Sequence, residues 1–248
     1  MQFTIRHRAD LAPEAWIVPV AKQENMEAAL APVAERTNVP FELVKADFQA
    51  GLKDVHTLYF TENQRGKRLY LLGLGEKPGA AEVMAAFRSF AFKRKTSLPA
   101  ELGISFTENK VGIPIPAAVE AAVNGMMLGF YDIGLYKTEE KKESEKPVAN
   151  AKVDVFVPEE FAEAAQLAIE KGSAFARTQL EIFDLVNAPA NKKTPQTLAD
   201  WAVQSGERYG YSVKIFEKAE IESLGLHALL AVNRGSENPP TFIVMEYL

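Results

Sequence analysis

A long stretch without proline constrains the fold of this chain most. Residues 159–186 contain no proline and a single glycine, Gly172. Small and apolar residues recur there at spacings of three and four, which places them on one face of a helix. The pattern predicts one helix of about 25 residues, roughly twice the average length. A helix of this length is typical of a chain that passes between two domains.

The part before this helix alternates between strand-like and helix-like segments. Strands are predicted at residues 3–8, 15–21, 57–60, 68–72, 102–106 and 153–157, and helices at residues 25–35, 80–94 and 116–128. Pro32 is expected to make the first of these helices short or irregular. Strands that alternate with helices favour a three-layer α/β domain with a mainly parallel or mixed sheet.

The part after the long helix also contains strand and helix signals. Thr194 and Pro195 are residue types that begin helices, and Gly210 is typical of a helix end. A strand at residues 212–216, short helices at 219–224 and near 227–232, and an apolar strand at 241–248 follow. Because the last segment is nearly all apolar, we expect it to be buried on both faces of a sheet.

Composition excludes several functional classes. The chain of 248 residues contains no cysteine, which excludes thiol nucleophiles, disulfides and zinc–thiolate sites and favours a cytoplasmic protein. A net charge of −5 makes nucleic acid an unlikely partner. No apolar run is long enough to cross a membrane, and the mixed charges at residues 138–146 predict a solvated loop.

The segment from Gly73 to Gly79 joins a predicted strand to a predicted helix. Its glycines are similar to a relaxed dinucleotide-binding pattern, in which Glu108 would be the ribose-binding acid. However, Pro78 lies in the turn and the third glycine comes one position late. We therefore favour an ordinary strand–turn–helix connection, with a phosphate at the helix N-terminus as the alternative.

Histidines and carboxylates do not form a recognisable site in the sequence. His7, His56 and His227 are not at metal-binding spacing, and no Gly-x-Ser-x-Gly motif is present for a serine nucleophile. Structural or surface roles are predicted for all three histidines. The clustered carboxylates lie in predicted loops or at a helix start, where they suit the helix dipole: Glu139, Glu140, Glu143, Glu145, Glu159 and Glu160. These residues by themselves assign no catalytic or metal-binding side chain.

Two motifs in the second part resemble the leucyl (cytosol) aminopeptidase family. The first runs from Asp184 to Asn191 (DLVNAPAN) and is followed by Thr194 and Pro195. The second runs from Glu222 to Ser236 (ESLGLHALLAVNRGS) and continues through Asn238-Pro239-Pro240 to Glu246 and Tyr247. Shorter segments of the first part are also similar to the family: LLGLG at 71–75, GFYD at 129–132 and LYK at 135–137. The resemblance covers nearly the whole chain and is strongest from Asp184 onward.

The resemblance implies a specific domain organisation and activity. Residues 1–158 would form an N-terminal macro-like α/β domain, 159–186 a linking helix, and 187–248 the first, incomplete part of an α/β catalytic domain. Family members remove N-terminal amino acids from peptides, usually as cytoplasmic hexamers. They use two divalent metals, zinc or manganese, which polarise the carbonyl and generate a hydroxide nucleophile.

The resemblance carries no metal-binding or catalytic residue over to this chain, and substrate-binding residues are not assigned. The family's metal ligands, catalytic lysine and arginine belong to segments after the strand that ends at Leu248. We therefore expect the N-terminal part of a two-metal exopeptidase, inactive by itself. Asn187, Pro189 and Asn191 match a family motif for which we expect a structural role.

Two alternatives to this interpretation come from other functional classes. One is a non-catalytic scaffold that joins full-length subunits, because the apolar strand at residues 241–248 would leave an unpaired edge. The other is a macro-like domain that binds ADP-ribose or another nucleotide at the turn between Gly73 and Gly79. Whether the chain itself is an enzyme stays open at this point.

Overall fold

The computed structural model describes residues 1–6, 13–107, 111–134, 136–138, 142, 146–148 and 150–248. They form two compact units, which we call the first unit (Met1–Ile182) and the second unit (Phe183–Leu248). Within the described ranges, no helix is long and apolar enough to cross a membrane. Some of the residues discussed above lie outside the described residues: His7, Glu108, Leu135, Glu139, Glu140, Glu143 and Glu145.

A mixed β-sheet forms the centre of the first unit. Its strands are β1 (Gln2–Arg6), β2 (Ala15–Ala21), β3 (Val55–Glu62), β4 (Arg65–Gly75), β5 (Glu101–Ser105) and β6 (Lys152–Phe156). Across the described sheet the order is β1-β6-β5-β2-β4-β3, and only β3 and β4 pair antiparallel. Asn63 and Gln64 join these two strands with positive φ at both positions, as a tight two-residue hairpin turn requires.

Helices cover both faces of this sheet. Helices α1 (Met26–Thr37) and α2 (Phe41–Asp47) lie on one face; α3 (Ala80–Arg94), α4 (Ile115–Gly129) and the first part of α5 (Ala162–Asn187) lie on the other. Successive residues of β2 face opposite layers, since Ile17 packs with the α3–α4–α5 layer and Val18 with the α1–α2 layer. Every residue of β2 is buried. The predicted three-layer α/β architecture is confirmed.

Glycines allow α4 to pack backbone against backbone with its two neighbours. A Cβ atom added at Gly125 would overlap the carbonyl oxygen of Met84 in α3, and Gly129 is similarly close to α3. A Cβ atom at Gly172 of α5 would lie 2.5 Å from the carbonyl oxygen of Glu120 in α4. Because backbone atoms cannot turn aside as a flexible side chain can, these contacts depend on glycine.

The second unit contains a two-stranded ribbon and three further helices among its described residues. These elements are α6 (Pro195–Tyr209), β7 (Ser212–Phe216), α7 (Lys218–Ser223), α8 (His227–Asn233) and β8 (Phe242–Glu246). Strands β7 and β8 pair antiparallel, with Ser212 opposite Glu246, and α6 packs against both strands. Gly210 adopts the left-handed backbone that was predicted to end α6.

The expectation for the last strand is wrong. Within the described residues β8 pairs only with β7, and Phe242 and Met245 are 40% and 48% exposed. A ribbon of two strands covers too little surface to bury an apolar strand on both faces. The apolar composition of residues 241–248 was therefore a poor guide to burial in this structure.

Three smaller differences concern helices. Helix α1 spans 12 residues with Pro32 inside it, and it is capped by the side chain of Asn25, which accepts a hydrogen bond from the Ala28 N–H at 3.0 Å. The long helix begins at Ala162, after a short 3-10 turn, and ends at Asn187. Helix α2 was not predicted.

We expect Gly125→Val to destabilise the first unit by about 1–3 kcal/mol, the usual cost of overpacking. The added side chain would overlap the Met84 carbonyl oxygen and force α3 and α4 apart. Urea unfolding followed by circular dichroism measures the change. The control is Gly66→Val in β4, where an added Cβ has no atom within 4 Å. Equal destabilisation by both variants would contradict the packing role of Gly125.

Candidate functional site

The histidines and carboxylates considered in the sequence lie, where the structure describes them, in different elements. His56 lies in β3 of the first unit, opposite Leu71 of β4, whereas His227 is the first residue of α8 in the second unit. Glu159 and Glu160 form the short 3-10 turn before α5. No group of three or more His, Asp or Glu side chains that could hold a metal ion occurs in the described part of the chain.

Gly73 and Gly75, at the end of β4, are covered by a neighbouring loop. The Gly73 N–H donates to the carbonyl oxygen of Asp54 at 2.8 Å, and the Gly75 N–H donates to that of Ala50 at 3.0 Å. A Cβ atom added at Gly73 would overlap the carbonyl oxygen of Gly51. These glycines therefore allow the end of β4 to pack closely against the backbone of residues 50–54. This agrees with the favoured interpretation of an ordinary strand–turn–helix connection.

A carboxylate of the chain itself already occupies the N-terminus of α3. The Gly79 N–H donates to Glu82 Oε2 at 2.9 Å. The negative charge of Glu82 lies at the positive end of the helix dipole, the place that a phosphate would take in the alternative interpretation. This capping arrangement disfavours the phosphate alternative at the turn between Gly73 and Gly79.

An exposed ion pair joins the same turn to the end of β2. Lys22 Nζ donates to Glu76 Oε1 at 2.6 Å, and the backbone N–H of Lys22 donates to the Gly75 carbonyl at 2.8 Å. The hydrogen bond and the positive charge of Lys22, with a smaller effect of Lys77, lower the pKa of Glu76. Because both side chains are solvated, the pair contributes little to stability.

The first family-like motif forms the connection between α5 and α6. Asn187 Nδ2 donates to the Phe183 carbonyl at 2.8 Å, and Lys193 Nζ donates to the Val186 carbonyl at 3.1 Å, so both side chains bind the last turn of α5. The positive charge of Lys193 also suits the negative end of the helix dipole.

A capping box begins α6 immediately afterwards. Thr194 Oγ1 accepts a hydrogen bond from the Thr197 N–H at 3.2 Å, and Thr197 Oγ1 accepts one from the Thr194 N–H at 2.8 Å. The polar residues of this connection therefore end one helix and begin the next.

The second family-like motif contains a loop held by its own side chains. Asn233 Nδ2 donates to the Asn238 carbonyl at 2.9 Å, and the Asn238 N–H donates to Ser236 Oγ at 3.1 Å. Thr241 Oγ1 then donates to the Pro195 carbonyl at 3.2 Å, which joins the start of β8 to the start of α6. These contacts give the motif a structural role in the second unit.

Sequence reasoning did not single out Lys22, Glu82 or Lys193. Glu82 could have been found, because a Glu three residues after a helix start is the signal of a capping box. Lys22 carried no such signal, since 54 residues separate it from Glu76.

Comparison with known proteins identifies the family. The profile described as "Cytosol aminopeptidase family, catalytic domain" matches residues 182–248. A "Probable cytosol aminopeptidase" of Chloroherpeton thalassium is 34% identical over an alignment of 248 positions. The alignment covers 94% of this chain and 48% of the relative. The chain belongs to the cytosol aminopeptidase family. A similarly described protein of Clostridium perfringens is 29% identical, over 94% of this chain and 49% of its own length. The chain thus spans about half the length of the curated relatives it matches.

Solved structures agree in fold. The bottromycin maturation enzyme BotP in complex with Mn matches 96% of this chain and 46% of its own, with a TM-score of 0.72 and 23% identity. A mutant tomato leucine aminopeptidase matches 99% of this chain and 50% of its own, with a TM-score of 0.77 and 20% identity. At these identities the likeness concerns the fold. The family resemblance inferred from the motifs after Asp184 is confirmed.

We expect Thr194→Ala to destabilise the second unit by about 1 kcal/mol, because α6 loses its N-cap acceptor. The indole N–H signals of Trp16 and Trp201 report on the two units separately in a urea titration followed by NMR. The control is Gln204→Ala, an exposed position of the same helix, with an expected change within about 0.5 kcal/mol. An unchanged midpoint for Trp201 in Thr194→Ala would contradict the capping role.

We expect Lys22→Met to raise the pKa of Glu76 towards its ordinary value of 4.5, because the main cause of the lowered pKa is removed. The carboxyl carbon signal of Glu76 in an NMR pH titration measures this change, and Lys77→Met should give a smaller rise. The ion pair stabilises the fold above the ordinary pKa, and its contribution disappears as pH falls through the lowered pKa. An unchanged pKa in Lys22→Met would exclude Lys22 as the cause.

Proposed function

We propose that this chain is the N-terminal part of a leucyl-aminopeptidase-like exopeptidase that removes N-terminal amino acids from peptides. The observation that carries the proposal is the identity of 34% to a cytosol aminopeptidase over 94% of the chain. The match of residues 182–248 to the catalytic domain of the family supports it. We prefer this function to a scaffold or a nucleotide-binding module.

The proposed domain organisation follows the same comparison. Residues 1–158 are proposed as the macro-like domain, 159–186 as the linking helix and 187–248 as the first part of the catalytic domain. The continuous helix Ala162–Asn187 and the change of compact unit after Ile182 support this division. A cytoplasmic homohexamer is proposed from the family resemblance, and the names of the relatives support the location.

Two divalent metals, zinc or manganese, are proposed for the complete enzyme, and the bound Mn of BotP supports manganese. The described residues of this chain do not fit such a site, because none of their His, Asp and Glu side chains form a group of three that could hold an ion. We therefore derive no catalytic step from them. The ligands are proposed to lie in the part of the relatives that this chain does not match, so the chain by itself is proposed to be inactive.

Hydrolysis of leucine p-nitroanilide with added Mn²⁺ or Zn²⁺ tests the proposal. We expect the 248-residue chain to give no more product than a heat-killed sample. A chimera in which this chain replaces the aligned part of the Chloroherpeton thalassium relative should release p-nitroaniline, because it restores the unmatched part.

Two controls make the result interpretable. The unmatched part of the relative is assayed alone, and circular dichroism establishes that the chimera is folded. Activity of the 248-residue chain alone would place metal ligands within it. A folded but inactive chimera would overturn the proposed function.

A further inference from the structure

Strand β3 is the last strand at one edge of the sheet in the described part of the chain. It is eight residues long and pairs with β4 without a bulge from Val55 to Glu62. Its sequence, VHTLYFTE, is rich in β-branched and aromatic residues and contains neither proline nor lysine. A long edge strand without such protective features is a template for pairing with another strand.

The register of the β3–β4 hairpin determines which backbone groups of β3 face outward. The two-residue turn makes Glu62 and Arg65 a hydrogen-bonded pair, and such pairs alternate along an antiparallel ladder. At the other end of β3, the Gly73 N–H donates to the Asp54 carbonyl oxygen at 2.8 Å, in phase with this alternation. Four residues therefore direct their N–H and C=O groups away from β4: Val55, Thr57, Tyr59 and Thr61.

The side chains near the hairpin turn leave room beside this edge. Tyr59 is 73% exposed, and a Cβ atom added at Gly66 would have no atom within 4 Å. Tyr59, Thr61, Gly66 and Arg68 line an open groove of about 470 Å³. A strand that pairs with β3 therefore has space for an aromatic side chain next to Tyr59.

The sequence of β3 is complementary to itself in one antiparallel register. When Tyr59 lies opposite Tyr59 of a second copy, Thr57 of each copy lies opposite Thr61 of the other. All of these residues have outward backbone groups, so three residue pairs can exchange hydrogen bonds. The aromatic pair and the two Thr–Thr pairs are also favourable cross-strand neighbours.

Charged side chains favour this register over its neighbours. It places His56 of each copy opposite Glu62 of the other, so that each imidazole lies beside a carboxylate. A shift of two residues would place Asp54 opposite Glu62 and bring two negative charges together. A shift of one residue would oppose outward groups to inward groups and lose the hydrogen bonds.

We propose that the first unit pairs with a second copy of itself through β3, with the two Tyr59 residues opposite each other across a twofold axis. The pairing joins the sheets of the two copies edge to edge. Because it involves a single strand edge, the contact is small and the dimer is weak and reversible. The proposal does not depend on the aminopeptidase function proposed above, since association is measured without catalysis.

The absence of cysteine from the chain allows a direct test by disulfide trapping. Variants with one introduced cysteine are incubated in a glutathione redox buffer, and linked chains are identified by mass spectrometry. We expect Tyr59→Cys to form a disulfide-linked dimer. The reason is that the Cα atoms of a hydrogen-bonded pair lie about 5.5 Å apart, within the range that a disulfide spans.

Two neighbouring positions provide controls that depend on the register. Thr57→Cys and Thr61→Cys should each fail to cross-link alone, because each residue lies about 14 Å from its own copy. An equimolar mixture of these two variants should form the mixed dimer. Absence of a Tyr59→Cys dimer, or equal cross-linking of all three single variants, would overturn the proposal.

A proline variant tests the backbone hydrogen bonds themselves. In the Tyr59→Cys chain, Thr57→Pro removes an outward N–H and spares the bonds between β3 and β4, so the amount of cross-linked dimer should fall about tenfold or more. Thr57→Val keeps the N–H and should cross-link as the Tyr59→Cys chain does. Circular dichroism establishes that both variants are folded. A folded Thr57→Pro chain that cross-links as well as Thr57→Val would exclude pairing through β3.

Discussion

The backbone-to-backbone packing of α4 against α3 and α5 determines how one face of the central sheet is covered. Gly125 and Gly129 let α4 approach α3, and Gly172 lets α5 approach α4. The three helices therefore form one tight layer whose inner side chains, such as Phe87 and Val123, complete the core over β2, β4 and β5. A groove lined by Met84, Asn124 and Phe175 lies on the same layer, between the side chains of the three helices.

The family-like motifs of the second unit consist largely of residues that shape the backbone. Asn187 and Lys193 bind the end of α5, Thr194 begins α6, and Asn233 holds the loop before β8. Such roles require particular side chains at particular spacings, because a cap or a turn accepts few residue types. This explains how a chain without an assigned catalytic residue is still specific enough in sequence to be placed in a family.

Local signals made parts of the fold predictable from the sequence. The apolar run at Ala15–Ala21 was sufficient to predict β2, and Thr194-Pro195 was sufficient to predict the start of α6. In both cases the signal comes from residues adjacent in the sequence. The exposure of β8 was not predictable, since burial depends on what packs against a strand. The same is true of polar pairs distant in sequence: 55 residues separate Asn124 from Gln179, and no spacing rule connects them. The family resemblance rests on the motifs after Asp184 and could not be inferred from composition.

The juxtaposition of Asn124 and Gly125 has a chemical consequence. In a flexible chain an Asn-Gly sequence readily cyclises to a succinimide, because the glycine nitrogen can attack the asparagine side chain without steric hindrance. In α4 the helical backbone holds that nitrogen away from the amide, and tight packing at Gly125 resists unwinding. The fold therefore protects a chemically labile Asn-Gly pair whose glycine is required by the packing of α4 against α3. Damage acquired before folding would place a carboxylate at position 124, where the structure provides a buried and largely apolar surrounding.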